Sequence, residues 1–191
     1  MNLKRILQTL FISVFFTAFA NAEMRIGAEL GYAPVDLEAE ETAQSIANQS
    51  GSTVLTEYST GVLVGRIFAD YEVAENLYGE IGYFQTSGAE ATYKIGSDQA
   101  SEAYDAHGFD FSIKVMSDGI FGKVGMHSTT IDGDANVTIG GTTYSATAEA
   151  IGSGILYGGG IETGGVIYSL TQYADVGGVT DFTFLSVGFV F

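Results

Sequence analysis

Charged side chains recur four positions apart along this sequence, and this spacing gives the first indication of what its residues could do. The pairs are Arg25 with Glu29, Arg66 with Asp70, Lys114 with Asp110, and Lys123 with His127. An even spacing places both members of a pair on one face of a β-strand. If the strands cross a membrane, that face must line the lumen, because a charge facing lipid near the midplane costs about 2–4 kcal/mol. Glu80 and Glu162 fall on the same inward parity.

The predicted lumenal residues carry nearly balanced charge, which favours a network of ion pairs over an active site. The cations are Arg25, Arg66, Lys114 and Lys123, and the acids are Glu29, Asp70, Glu80, Asp110 and Glu162. An eight-stranded barrel is just wide enough for side chains to fill its interior. Buried charges need partners to be tolerated, so structural need alone explains their presence. A narrow cation pathway and a catalytic cluster are the alternatives.

Adjacent His127 and Ser128 are the candidates for a general base and a nucleophile. Both side chains would have to contact the same substrate. Neighbouring residues of a regular strand point to opposite faces, so this pair cannot act together in acyl hydrolysis. We therefore interpret His127 as a lumenal, ion-paired residue. His107, the other histidine, lies near a loop edge and has no obvious partner in the sequence.

Metal and cofactor motifs are incomplete. Residues 132–136 supply the first three ligand positions of a calcium loop, but Val137 replaces the required glycine and Thr143 the bidentate acid. Weak divalent binding by loop acids is the remaining form of this hypothesis. Gly152-Ser153-Gly154 lacks the spacing of a nucleotide loop. The chain has no cysteine, which excludes disulfides and thiolate metal sites. We expect no metal site and no cofactor.

Strands of about ten residues, the length of a tilted transmembrane strand, would position these side chains. Alternating segments span 24–33, 58–71, 77–87, 104–116, 119–130, 149–162, 166–174 and 180–191. In the second of them, for example, Leu63 and Ile67 face outward, whereas Arg66 and Asp70 face inward. Segment 166–174 has no clean parity, and its facing stays open. The sequence therefore predicts an all-β fold, an eight-stranded antiparallel transmembrane up-and-down β-barrel.

The connectors alternate in length. Residues 72–76, 117–118 and 163–165 form short turns, 34–53, 88–103 and 131–147 form long irregular loops, and 175–179 is intermediate. Short turns on one side and long loops on the other are typical of an outer-membrane barrel. The loops are acidic, with Asp36, Glu38, Glu40, Glu41, Glu90, Asp98, Glu102, Asp132 and Asp134 against Lys94. Acidic loops serve solvation, or they contact cations, lipopolysaccharide through bridging cations, or a basic host or matrix protein.

The amino-terminal segment is typical of a secretory signal peptide. Lys4 and Arg5 precede an apolar core, and Ala20-Asn21-Ala22 is a small-x-small cleavage site before Glu23. We predict cleavage between Ala22 and Glu23, which leaves residues 23–191 as one barrel domain with four extracellular loops. The formal net charge of −16 argues against nucleic-acid binding.

The carboxy-terminal strand ends on an aromatic residue. Leu185, Val187, Phe189 and Phe191 share one parity, as the lipid-facing side of a barrel strand requires. With this ending, the sequence resembles the small outer-membrane β-barrel superfamily, which includes the transmembrane domain of outer-membrane protein A, opacity proteins and attachment-invasion proteins. Some colonisation factors are similar. The residues that carry the resemblance are the Ala20-Asn21-Ala22 site, the hairpin of 70–83, the segment 158–162 and Phe189-Val190-Phe191.

The resemblance implies an outer-membrane location and an assembly signal at Phe189 and Phe191 that the barrel-assembly machinery reads. It also implies contact with outer-membrane lipid and lipopolysaccharide. The superfamily holds adhesins, evasion factors, enzymes and structural barrels, so function stays open. The chain departs from the family pattern in having no tryptophan, so tyrosine and phenylalanine must form the interfacial girdles.

From these observations we expect a non-enzymatic barrel that serves envelope structure and surface interaction of the colonisation type. A possible host or matrix partner would contact the acidic loops. A small channel with a narrow lumen is the alternative, and a lipid A-modifying enzyme is a weaker one, because no nucleophile and base share a face at the lipid boundary.

Overall fold

The computed structural model describes residues 24–35, 37–50 and 54–191 of the chain. The predicted signal peptide and its cleavage site between Ala22 and Glu23 lie outside these residues. Within the described part, no helix has the length and apolar character needed to cross a membrane.

Eight strands form a closed antiparallel ring in the order β1-β3-β4-β6-β7-β8-β9-β10, and β10 pairs with β1. Their bounds are β1 Met24–Pro34, β3 Gly61–Ala74, β4 Leu77–Thr86, β6 Asp98–Ser117, β7 Ile120–Ile139, β8 Thr142–Thr163, β9 Val166–Val176 and β10 Thr180–Val190. The closing pair runs from Gly27 opposite Val190 to Tyr32 opposite Leu185. Closure removes free sheet edges from the ring, and the predicted eight-stranded barrel is confirmed.

Tight turns join β3 to β4, β6 to β7 and β8 to β9 at one end of the ring, which we call the turn end. Residues in these turns have positive φ, namely Asn76, Asp118, Gly119, Gly164 and Gly165. Such backbone angles fit the right-handed twist of the flanking strands. Met24 and Phe191 lie at the same end, since Phe191 N–H donates to the Ile26 carbonyl at 2.8 Å. The opposite end is called the loop end.

The outer surface of the ring is apolar at every second residue. Ile67, Phe109, Val124 and Met126 have exposed fractions of 62%, 64%, 61% and 66%, and they alternate with buried residues. β9 follows the same rule, because Tyr168 and Leu170 face outward while Ser169 and Thr171 face inward. Its parity is hard to find in the sequence because its inward residues are a mixture of Ile167, Ser169, Thr171 and Tyr173.

The prediction of long irregular loops is wrong, because most of residues 88–103 and 131–147 belong to strands. β6 and β7 pair without interruption from Ser117–Ile120 up to Gln99–Thr138. β7 and β8 then meet at Gly140-Gly141, a two-residue turn with φ of 56° and 84°. This pairing satisfies backbone groups that an irregular loop would leave to water. We call residues 98–106, 131–139 and 142–150 the projecting sheet.

Three smaller elements flank the projecting sheet at the loop end. They are the helix α1 (Ala39–Ser50) and the strands β2 (Val54–Tyr58) and β5 (Ala89–Ile95). β5 pairs with residues 98–104 of β6, at the loop end, and β2 pairs with β5. Ala39 at the start of α1 packs against buried Ala91 and Tyr93 of β5. We call these three elements the flanking unit, and its helix and β5 lie in segments 34–53 and 88–103, which the sequence analysis assigned to irregular loops.

Candidate functional site

Arg66 lies at the centre of the lumen and contacts three carboxylates. Its Nε and Nη2 donate to the two oxygens of Asp110 at 2.9 and 2.6 Å. Nη2 also donates to Glu80 at 2.6 Å, and Nη1 donates to Glu29 at 2.9 Å. The guanidinium has five donors in a planar fork, so it can satisfy several acids at once. All four side chains are at least 97% buried, with exposed fractions of 1%, 2%, 3% and 0% for Arg66, Glu29, Glu80 and Asp110.

Two lysines complete the central charges. Lys123 Nζ donates to Glu80 at 3.1 Å, and Lys114 contacts Asp70 directly and Glu80 at 3.6 Å. Lys114 lies opposite Lys123 across β6 and β7, and Asp70 lies opposite Glu80 across β3 and β4. Each like-charged pair would be unfavourable alone. Contacts across the lumen between these lysines and these acids offset the repulsion within both like-charged pairs.

Arg25 forms a second group near the turn end. It donates to Asp70 at 2.8 Å and to Glu162 at 2.5 Å. Its side chain is 23% exposed, so solvent screens it more than Arg66. Arg25 also lies over the Tyr78 ring, 4.9 Å from the centroid. We call these groups together the lumenal ion-pair network.

The structure brings together nine of the residues that the sequence analysis assigned to the lumen, but it pairs them differently. They are Arg25, Glu29, Arg66, Asp70, Glu80, Asp110, Lys114, Lys123 and Glu162. Residues four apart in one strand are separated by about 13 Å, too far for contact. Cross-strand neighbours are about 5 Å apart, and Arg25 with Asp70 and Arg66 with Glu29 are such neighbours. The same-strand pairs proposed from the spacing are therefore wrong.

Inward-facing glycines provide the room for these large side chains. At Gly82, an added Cβ would lie 2.5 Å from Nη2 of Arg66. At Gly27, it would lie 2.2 Å from the Phe68 ring. A Cβ at either position would therefore force the Arg66 or the Phe68 side chain to move.

An aromatic layer closes the lumen on the loop-end side of the network. We call Phe84, Tyr173, Phe182 and Phe184 the aromatic floor. Tyr173 stacks on Phe182 with centroids 5.1 Å apart, and Phe84 contacts both rings at 5.0 and 5.7 Å. Tyr173 also donates its hydroxyl proton to Asp110 at 3.0 Å, which joins the floor to the network. Charged and aromatic side chains thus fill the barrel interior, as its diameter allows.

His127 is buried in the lumen wall and does not contact Lys123, the partner proposed from the spacing. Its ring nitrogens lie 2.7 Å from Thr129 Oγ1 and 2.6 Å from the Ala174 carbonyl oxygen. Ser128 is exposed on the opposite face. The two faces of β7 thus separate the histidine from the serine, as the sequence analysis inferred.

The acids of residues 132–134 lie in β7 and not in a loop that could wrap a calcium ion. Asp132 is nevertheless close to Asp105 and His107, since one ligand atom from each lies within 4.8 Å of the others. His107 Nδ1 is 3.5 Å from Asp132 Oδ2, a partner that the sequence analysis did not find. All three residues are partly exposed, and exposed acids of this kind are common without an ion.

The projecting sheet has two different faces. One face, which we call the acidic face, contains Asp105, Asp132, Asp134 and Glu149, and Asp132 lies opposite both Asp105 and Glu149. Polar pairs continue it toward the tip, such as Ser145 donating to Asn136 at 2.6 Å. Alternation gives the other face Ala106, Ile131, Gly133, Ala148 and Ala150.

Two tyrosines bind one carboxylate, and the contact made by Tyr93 joins the flanking unit to the projecting sheet. Tyr93 and Tyr104 donate their hydroxyl protons to the two oxygens of Glu102 at 2.7 and 2.9 Å. Burial raises the pKa of both phenols, and the hydrogen bonds to Glu102 raise it further. The acidic loop residue Glu102 therefore has a structural role.

Several solved structures are similar to this chain. Ail, the attachment invasion locus protein of Yersinia pestis, in complex with the heparin analogue sucrose octasulfate, matches with a TM-score of 0.53 and 10% identity over 88% of this chain and 99% of that chain. Neisserial surface protein A matches with a TM-score of 0.40 and 17% identity over 89% of this chain and 97% of that chain. OprG from Pseudomonas aeruginosa matches with a TM-score of 0.45 and 9% identity over 89% of this chain and 97% of that chain. No protein-family model and no curated protein matches the chain.

The similarity to Ail establishes the fold, and identity this low carries no further conclusion. The chain has the fold of the small Gram-negative outer-membrane β-barrels. The resemblance inferred from the terminal strand and the hairpin of residues 70–83 is thereby confirmed at the level of fold.

Proposed function

We propose that this chain is a non-enzymatic outer-membrane barrel that presents a rigid acidic sheet outside the cell for interaction with a basic surface. The observation that carries the proposal is the projecting sheet, in which β7 continues about ten residues beyond the aromatic floor. At about 3.3 Å per residue, the sheet extends about 30 Å. A paired sheet of this length holds its side chains in fixed positions, which lowers the entropy lost on binding.

The lumenal ion-pair network supports an anchoring role for the barrel. Arg66, Asp110 and Glu80 fill the centre, and the aromatic floor covers them. A conducting channel would need these side chains to move, and buried charge pairs resist separation. The separation of His127 from Ser128 supports the non-enzymatic part of the proposal.

The charge distribution indicates the chemistry of the partner. The acidic face of the projecting sheet carries Asp105, Asp132, Asp134 and Glu149, and residues 98–106, 131–139 and 142–150 include no lysine or arginine. Such a surface repels polyanions and attracts basic proteins. The heparin analogue bound by Ail is therefore not the class of partner that we propose for this chain.

The experiment compares two neutralised variants of the full-length protein on cells. One combines Asp132→Asn, Asp134→Asn and Glu149→Gln on the acidic face. The matched control combines Glu40→Gln, Glu41→Gln and Glu57→Gln in the flanking unit, so that both variants lose the same charge. We expect the first variant to lose binding to basic matrix proteins and to a poly-lysine surface, while the control retains it.

Added salt should weaken wild-type binding, because screening acts on exposed charges within about 10 Å at 0.1 M. Both variants must still migrate faster unheated than boiled on a detergent gel, which reports a closed barrel. Equal binding by wild type and the acidic-face variant would contradict the proposal. Large single-channel currents from wild-type protein would favour a channel instead.

A further inference from the structure

A cavity of about 700 Å³ opens at the loop end, directly above the aromatic floor. Its wall is mostly apolar and is built from small and branched residues, among them Ala33, Ala106, Ile131, Ala148, Ala150 and Phe182. Val35 and Leu37, which follow β1, lie at its rim. The cavity is therefore a recess in the barrel mouth that the first loop partly borders.

The cavity exists because inward positions change from large to small along the strands. On β8, Leu156 lies at the level of the floor, and the inward residues at the cavity are Ala150 and Ala148. On β6 the small inward residue there is Ala106, and on β7 it is Gly133. These small inward residues leave the space that the cavity occupies.

The composition of the wall is unusual for a recess open to water. A recess that held only water would be lined most favourably by polar groups, because apolar surface is stabilised by removal from water. Here alanine, valine, isoleucine and phenylalanine line most of it. Its volume lies within the range of about 300–1,000 Å³ that small-molecule sites occupy. An apolar ligand would cover this surface.

The polar residues of the wall restrict the charge of that ligand. The described lining includes no lysine, arginine or histidine, and its acids Asp105, Glu149 and Asp181 occupy positions of outward parity. A carboxylate or sulfonate on the ligand would therefore lose its hydration in the apolar recess without gaining a cation. We propose that the cavity is a binding site for an uncharged apolar small molecule.

The absence of tryptophan from the sequence makes a clean reporter possible. Val179 lines the cavity and is 70% exposed, so Val179→Trp should fold and place one indole at the site. The probe is N-phenyl-1-naphthylamine, which accepts energy from tryptophan. We expect saturable energy transfer from this variant in full-length protein held in amphipol. The sulfonated analogue 8-anilinonaphthalene-1-sulfonate shares the same ring skeleton and should bind about tenfold or more weakly.

Neighbouring residues on opposite faces of β8 provide the matched control. Ala148→Phe, added to the reporter, should fill the cavity and lower the affinity by about tenfold or more, whereas Thr147→Phe points away and should leave affinity within about twofold. If Ala148→Phe loses the mobility difference between unheated and boiled samples, Ala150→Leu replaces it. Linear, unsaturable transfer, or equal affinity in the two variants, would overturn the site. Equal binding of the sulfonated probe would overturn the ligand class.

Discussion

Arg66 and Asp110 meet side-on in the middle of the barrel, with two nitrogens of the guanidinium facing the two oxygens of one carboxylate at 2.9 and 2.6 Å. This bidentate geometry is the strongest form of an arginine–carboxylate contact. Arg66 lies on β3 and Asp110 on β6, with β4 between them, so the contact crosses a neighbouring strand. The pair therefore ties together parts of the wall that do not share backbone hydrogen bonds.

Replacing Arg66 tests how much the network stabilises the barrel. Arg66→Ala leaves Glu29, Glu80 and Asp110 buried without their shared cation. We expect the free energy of unfolding to fall by about 3–5 kcal/mol, as for other buried charges that lose their partner. The measurement is urea unfolding of the protein refolded in lipid vesicles.

Arg25→Ala is the matched comparison for Arg66→Ala. Its side chain is 23% exposed, so water can screen the acids that it leaves, and the loss of stability should be smaller. Arg66→Lys keeps the charge but cannot reproduce the planar fork, and it should fall between wild type and Arg66→Ala. Equal losses of stability for Arg25→Ala and Arg66→Ala would show that burial does not determine how much a lumenal arginine stabilises the barrel.

The sequence predicted which residues form the network but could not predict how they pair. Inward parity follows from strand alternation alone, so Arg66, Glu80 and Glu162 could be assigned to the lumen from the sequence. Pairing depends on register and on contacts across the barrel, such as Lys114 with Asp70 between β6 and β3. Neither is encoded in the spacing of residues along one strand.

The extended strands at the loop end are a second feature that the sequence-based prediction missed. Gly140-Gly141 and Gly96-Ser97 are two-residue hairpin signals between β-forming segments, and they could have identified the extended strands β5 to β8. The acidic residues around them are typical of loops and concealed this pattern. The cavity was also missed, because Ala148 and Ala150 contribute by lacking side chains, and absence of bulk gives no periodic signal.

Conductance tests the filled lumen. With the network in place and the aromatic floor above it, wild-type protein in planar bilayers should stay near baseline. Tyr173→Ala removes a floor ring and the hydrogen bond to Asp110, so brief openings should become more frequent in this variant. Tyr168→Ala is the control, because Tyr168 lies on the outward face of the same strand, nearer the turn end. It should leave the baseline current unchanged. Steady large currents from wild type would contradict the filled lumen.

Alkaline titration tests the two tyrosines that share Glu102. Their pKa values in the folded protein are raised above the ordinary value of 10.0. A raised folded pKa means that the stabilisation is fully present below pH 10 and is lost as pH rises through the folded value. We therefore expect tyrosinate absorbance at 295 nm to show Tyr93 and Tyr104 ionising in a final step above pH 10, together with loosening of β2 and β5.

Tyr93→Phe removes one late-ionising group and should reduce the amplitude of that final step. Tyr144→Phe is the control, because Tyr144 is 63% exposed at the tip, and its removal should leave the final step unchanged. If Tyr93→Phe left the final step unchanged, the step would belong to other residues, and Glu102 would not anchor the flanking unit.

The end of the last strand, β10, allows its outward and inward faces to be tested separately. Phe191 is 84% exposed at the turn end, and its backbone exchanges hydrogen bonds with Ile26 at 2.8 and 3.3 Å. Val190 faces inward and packs against Phe68, Phe121 and Ile167. If the terminal aromatic is the assembly signal that the family resemblance implies, deletion of Phe191 should reduce assembly in cells but allow near-normal refolding in detergent.

Val190→Thr should give the opposite result. Threonine keeps the shape of valine but places a hydroxyl near the apolar rings of Phe68 and Phe121, so refolded protein should lose about 1–3 kcal/mol of stability. Its delivery to the outer membrane should stay near wild type, because the terminal aromatic is intact. The two readouts are membrane fractionation and urea unfolding of refolded protein. If Phe191 deletion reached the outer membrane at wild-type levels while Val190→Thr did not, the assembly signal would not reside in the terminal residue. Delivery would then depend on how β10 packs against the lumen.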